Sequence, residues 1–150
     1  MNTAMQIRTA TPEDVAAIFD VRCSVKENHM SRAELAELDI TPETVGGMIS
    51  GGDYIVPVAL VGGEIVAFAM AQISEGYVFA LFVRPEHEGK GLGNTLMREV
   101  ESGFKEHGVT EAWLCTGSEK GIRAPGFYRR LGWVESGTME DGQLRFCKTL

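Results

Sequence analysis

The run Tyr77-Val78-Phe79-Ala80-Leu81-Phe82-Val83, bounded by Gly76 and Pro85, contains no charged residue. Such a run predicts a strand covered on both faces. It leads into Glu88-Gly89-Lys90-Gly91-Leu92-Gly93-Asn94. Beyond that, Leu92, Leu96, Val100 and Phe104 recur at a spacing of four, with Arg98, Glu99, Glu101 and Lys105 on the other faces. That spacing predicts an amphipathic helix, which Gly108 stops. The order is strand, glycine turn, helix. Glycines at 89, 91 and 93 carry no Cβ to hold a ligand off the backbone, so consecutive N–H groups can turn toward one anion. The helix start adds a partial charge of about +0.5. The segment reads as a phosphate cradle, or more plainly as a glycine-rich turn that starts a helix. Two familiar phosphate loops do not fit it. The dinucleotide fingerprint needs a third glycine where Asn94 stands, and the nucleotide-triphosphate loop needs Lys-Ser/Thr after its second glycine, where Leu92 stands.

The rest of the composition narrows the setting. A chain of 150 residues with 44% hydrophobic and 23% charged residues predicts one domain with a real core. A net charge of −7 argues against nucleic acid and anionic membrane surfaces as partners, since both are bound through clustered Lys and Arg. Cys23, Cys115 and Cys147 have neither a disulfide-framework nor a zinc spacing, and they read as reduced thiols of a cytoplasmic protein. The N-terminus lacks the apolar stretch of a signal peptide, and no run approaches membrane-spanning length.

Along the chain, Met5 to Thr9 predicts a strand, and Thr11-Pro12-Glu13-Asp14 a helix start with a capping hydroxyl, its buried stripe formed by Val15, Ile18 and Phe19. Ser31 and Glu34 have capping-box spacing and open a second helix. Thr41-Pro42-Glu43 opens a third, ending before Gly51-Gly52. Ser24 to Met30 is polar and irregular. Tyr54 to Leu60 and Ile65 to Ile73 form a hairpin around Gly62-Gly63, with Pro57 marking a bulge or a free edge. Glu111 to Cys115 is a strand and Ala124 to Arg130 a short helix. Trp133 to Gly137 and Leu144 to Thr149 make a closing hairpin that turns near Asp141-Gly142. The fold class is a mixed α/β sheet with helices packed against it.

The second signal is Phe127-Tyr128-Arg129-Arg130-Leu131-Gly132-Trp133, an aromatic pair on a helix capped by glycine. Taken with the loop from Arg84 to Asn94, it resembles the GNAT acetyltransferase family over nearly the whole chain. The resemblance implies a mostly antiparallel sheet with one parallel strand pair splayed around coenzyme A. It also implies an N-acetyltransferase that moves the acetyl group of acetyl-CoA directly to a primary amine, with no metal. Carried over by residue, Leu81, Phe82 and Val83 match the strand end whose backbone meets the pantetheine arm as an added strand would. Glu88, Gly89, Lys90, Gly91, Leu92, Gly93 and Asn94 match the pyrophosphate loop. Phe127 lies near the thioester, and Tyr128 matches the general acid that protonates the leaving thiolate. The acceptor site is implied beside the first two helices, which points to Glu27, Asn28 and His29. Members of the family are often homodimers.

Three departures from the pattern stand out. Glu88 occupies a loop position usually held by Arg or Gln, where a carboxylate repels a pyrophosphate. Either its side chain points away or affinity falls, with Lys90 compensating as a point charge. Gly121 stands where asparagine is common. No general base is evident, and Glu27, His29 and Glu75 are the candidates. Glu34, Glu37 and Asp39 near the acceptor side favour a small cationic amine. An acyl-CoA sensor without turnover and a peptide or protein N-terminal acetyltransferase are the alternatives. A covalent acyl-enzyme on Cys115 would need a partner histidine or acid at a recognisable spacing, and none is present.

Overall fold

The computed structural model describes residues 5–118 and 122–150, so Gly121 lies outside the described residues. In chain order the strands are β1 (Met5–Thr9), β2 (Tyr54–Ile55), β3 (Pro57–Val61), β4 (Glu64–Gln72), β5 (Tyr77–Val83), β6 (Glu111–Thr116), β7 (Val134–Thr138) and β8 (Leu144–Thr149). The helices are α1 (Val15–Arg22), α2 (Arg32–Glu37), α3 (Pro42–Gly51), α4 (Leu92–Glu106) and α5 (Ala124–Arg130). Among the described residues the strands form one eight-stranded sheet in the order β1-β3-β4-β5-β6-β8-β7, with β2 on β4. Every pairing is antiparallel except β5 with β6. This is the mixed sheet the residues predict.

The two faces of the sheet bury different helices. On one face α4 presses Leu92, Leu96, Met97, Val100 and Phe104 onto Ala67, Ala69 and Ala71, all fully buried or nearly so. Each large side chain contributes about 1.5–3 kcal/mol by leaving water, and the small alanines let the helix lie close. On the other face Val15, Ile18 and Phe19 of α1 join Leu35, Val45, Phe68 and Met70. Gly108, at φ 78, ends α4, and Gly132, at φ 90, follows α5, each in the left-handed region that glycine adopts without strain.

Some local expectations change in detail. Before α1 comes a single 3₁₀ turn, Pro12–Asp14. The Asp14 carboxylate, not the Thr11 hydroxyl, is the acceptor there: it takes the Thr11 N–H at 2.8 Å and a bidentate pair from Arg8 at 2.7 and 3.0 Å. The Ser31–Glu34 capping box forms as expected, with bonds of 3.0 and 3.1 Å. Helix α3 runs through Gly51, and Gly52 caps it at φ 86. Pro57 lies on no free edge, because β3 is flanked by β1 and β4. The proline instead starts a strand after a break at Val56, where its missing N–H costs nothing to the ladder, and the register shift comes later, between Ala59 and Leu60.

Candidate active site

The site is a fork in the sheet. β5 and β6 pair only at Tyr77 and Trp113, whose rings stack at 4.1 Å and 16°. The Trp113 N–H donates to the Gly76 carbonyl at 2.9 Å, and its indole N–H to the Glu75 carbonyl at 3.1 Å. Beyond this closed end the strands part around a cleft of about 1290 Å³, with Val78 to Val83 on one wall and Leu114 to Ser118 on the other. A strand edge that has lost its neighbour presents unpaired backbone groups to whatever enters. This also corrects the expectation for β5. Helices α1 and α4 do pack on its two faces, yet of the whole run only Val78 is buried, because the edge toward β6 is open.

β5 also carries a bulge. Met70 pairs with Ala80 and Ala71 with Val78, so Phe79 has no opposite residue. The extra residue turns Phe79, Ala80 and Phe82 toward the α1 and α3 side, while Val78, Leu81 and Val83 face α4. One strand thereby serves two hollows. The second is a partly open cavity of about 190 Å³ behind β5, bordered by α1, α2, α3 and β4, and it shares Asn28, Phe79, Ala80 and Phe82 with the cleft.

Where the glycine loop meets the cleft, Gly89 and Gly91 stand at φ 78 and 81. Gly91 is the N-cap of α4. The N–H groups of Leu92, Gly93 and Asn94 therefore precede any intrahelical acceptor, and all three residues line the cleft. Gly93 has a different reason to be glycine: a Cβ there would lie 3.2 Å from Phe127 Cζ. The two sequence signals thus touch, the start of α4 packing on the aromatic pair of α5. Lys148 holds α5 in place. Its ammonium donates to the Leu131 carbonyl at 2.7 Å and pairs with Glu101 of α4 at 2.8 Å.

The charge at the loop is resolved by a residue the sequence did not single out. The Glu88 carboxylate pairs at 2.5 Å with Arg123, immediately before α5, and this contact raises the guanidinium pKa. Both residues line the cleft, as do His87 and Arg130. Lys90 is absent from the cleft wall, its ammonium 3.0 Å from His87 Nδ1. An unbalanced Glu88 was the signal that could have found Arg123.

Tyr128 is buried among Phe127, Trp133 and Phe146, with ring centroids 5.1, 6.1 and 6.3 Å away, and it lines the cleft. Burial raises its phenol pKa, so the hydroxyl keeps its proton and can donate it. Burial likewise raises the Cys115 thiol pKa, against a partial lowering by Arg145. A nucleophilic thiolate needs the opposite shift.

Of the irregular segment, Val25, Lys26, Glu27 and Asn28 line the cleft. His29 does not, its Nδ1 lying 3.0 Å from the Val25 carbonyl, and neither does Glu75 at the closed end. Thr116 and the turn from Asp141 to Gln143 also reach the wall, brought there by the β6–β8 register, which no local pattern foretells. Among the described residues no group of three His, Cys, Asp or Glu side chains could hold a metal ion, and no helix is long and apolar enough to cross a membrane.

With this geometry in hand, comparison with known proteins is specific. The profile described as acetyltransferase (GNAT) family matches residues 19–133. The fold is similar to that of the PaiA N-acetyltransferase from Thermoplasma acidophilum, solved in complex with coenzyme A, at a TM-score of 0.86 and 19% identity, covering 98% of this chain and 99% of that one. It is also similar to the ribosomal-protein-S18-alanine N-acetyltransferase from Escherichia coli, at a TM-score of 0.75 and 18% identity, covering 97% and 94%. Ard1 from Thermoplasma volcanium gives 0.75 and 17%, covering 98% of both chains. No curated protein matches the sequence.

Proposed function

Because this chain belongs to the acetyltransferase (GNAT) family, we propose that it moves the acetyl group of acetyl-CoA to the primary amine of a small molecule by direct attack, as a single-domain enzyme. The observation that carries this reading is the β5–β6 fork, whose walls include both the glycine loop and Tyr128. The donor fits what lines it. The unpaired edge of β5 suits the amides of a pantetheine arm. The N–H groups of Leu92, Gly93 and Asn94 suit a pyrophosphate, joined by Arg123 once Glu88 releases it.

In this reading the neutral amine nitrogen attacks the thioester carbonyl carbon, the carbon–sulfur bond breaks, and the sulfur takes the Tyr128 proton. The proton that the nitrogen sheds as the amide forms restores the Tyr128 phenol. The ammonium form must first lose a proton. Of the candidate bases only Glu27 lines the cleft, and it takes that role. Phe127 shapes the wall beside Gly93. The three free cysteines fit a reducing compartment, so the reading places the reaction in the cytoplasm.

The test is coenzyme A binding by calorimetry, together with thiol release from acetyl-CoA across a panel of amines. Release that depends on the amine supports the enzyme. Binding with no release for any amine identifies a sensor and overturns it.

A further inference from the structure

The cavity behind β5 contains a side chain that acetyl transfer leaves unused, the guanidinium of Arg22. Apart from Asn28 and Thr44 the rest of its wall is apolar, built from residues such as Phe19, Leu35, Ile40, Val45, Met48 and Met70. Arg22 is the charged residue on that wall, half-buried, with Cζ 4.3 Å from the Phe82 ring centroid and Nη1 donating to the Asn28 carbonyl at 3.1 Å. Its other N–H groups have no acceptor, and it has no carboxylate partner, among the described residues. Burial disfavours its charged form, and an anion would relieve that. Glu34, Glu37 and Asp39, which on sequence would draw a cation, are not on the wall.

Position narrows the anion. Asn28 and Phe82, the two residues Arg22 touches, border the cleft as well as the cavity. Asn28 is held at φ 55, a left-handed conformation that asparagine tolerates, and in it its carbonyl meets Arg22. Arg22 therefore stands at the doorway between the two hollows. A ligand with amine and carboxylate on one carbon would place both at this doorway and its side chain in the apolar space behind. That space, at about 190 Å³, suits one ring-sized group, since an engineered cavity of about 150 Å³ takes up benzene. The methionines on the wall adapt to several shapes.

We propose that the acceptor is a free α-amino acid with an apolar side chain, its carboxylate held by Arg22 and its side chain seated behind β5; this rests on the acetyl-transfer reading above. Planar guanidinium and carboxylate meet through paired charge-assisted hydrogen bonds. A peptide amino terminus or a decarboxylated amine brings no anion to the doorway and is disfavoured.

The experiment compares L-phenylalanine, L-phenylalaninamide and phenethylamine, both as acceptors with acetyl-CoA and as ligands by calorimetry with coenzyme A present. L-Phenylalanine is expected to exceed the other two in kcat/KM by about 10- to 100-fold, the range of a charge-assisted pair. Arg22→Gln should remove that preference through KM, with coenzyme affinity unchanged, and Arg22→Lys should restore part of it. Met48→Trp, which fills the cavity and leaves Arg22 in place, should move preference to L-alanine. Equal use of all three amines overturns the acceptor assignment while acetyl transfer stands. If no amine releases thiol, acetyl transfer falls, and the cavity assignment is then decided by binding: Arg22-dependent uptake of L-phenylalanine supports it and no uptake overturns it.

Discussion

The two hollows on either side of β5 are made of different material. The cleft is built from backbone: a strand edge left open by the fork, a loop with two glycines at positive φ, and the first N–H groups of α4. The cavity is built from side chains delivered by α1, α2, α3, β4 and β5. The first suits a ligand of repeating amides and phosphates, because backbone groups recognise such groups whatever side chains stand nearby. The second suits one particular shape and charge. A single bulge at Phe79 lets one strand border both, so in the proposed reading donor and acceptor meet across its width.

The two hollows should separate most clearly at Gly91. Valine there would be forced to φ 81, costing about 1–3 kcal/mol, and would displace the N–H groups of the cradle. Coenzyme affinity should fall by up to ~100-fold by calorimetry, with uptake of an apolar amino acid by the cavity unchanged. Loss at both hollows would show that they are not independent.

Tyr128→Phe keeps the ring among its aromatic neighbours and removes only the hydroxyl that supplies the proton. We expect kcat to drop by roughly 100-fold with coenzyme affinity intact. Because burial raises the phenol pKa, the acid form persists as pH rises past the usual tyrosine value near 10, so kcat of the parent enzyme should show no alkaline limb from this group below that point.

A smaller effect tests the cavity wall. α1 carries Phe19 and Arg22, and its start is tied down by Asp14, whose carboxyl is held at about 2, chiefly by hydrogen bonding to Arg8 against the effect of burial. A depressed carboxyl stabilises the fold above its unfolded value of about 3.9, and that contribution is lost as pH falls through the folded value. Asp14→Asn should therefore lower Tm at neutral pH by a few degrees, with the gap closing toward pH 2 in a calorimetric series, while coenzyme affinity stays unchanged.

The smallest expected effect is at the loop. Glu88→Gln frees Arg123 and should leave coenzyme binding unchanged or a fewfold tighter, since an exposed ion pair is worth little. Arg123→Gln should weaken it, more so at low salt. A large loss in Glu88→Gln would mean that the pair shapes the cleft instead of competing for it.

What could be read in advance followed the same division. The register of α4, the Ser31–Glu34 box and the short helix carrying Phe127 and Tyr128 were legible because each is fixed by residues a few positions apart. Val78 to Val83 were recognisable as a strand, yet its half-buried state was not, because exposure there depends on β6 leaving its side. Gly93 was legible as part of a loop but not as the seat of Phe127, a contact between segments far apart in the chain. Arg22 gave no sign at all: on sequence it is one more cation at the end of a helix.

The sequence by itself determined the strand, glycine turn and helix, and with the Phe127-Tyr128 pair the family, because positive φ and helical periodicity are imposed by local sterics and patterned burial. Only the tertiary structure decided where Glu88 finds its counter-charge and what stands behind β5. Those depend on desolvation and on contacts between distant segments, and neither leaves a periodic trace along the chain.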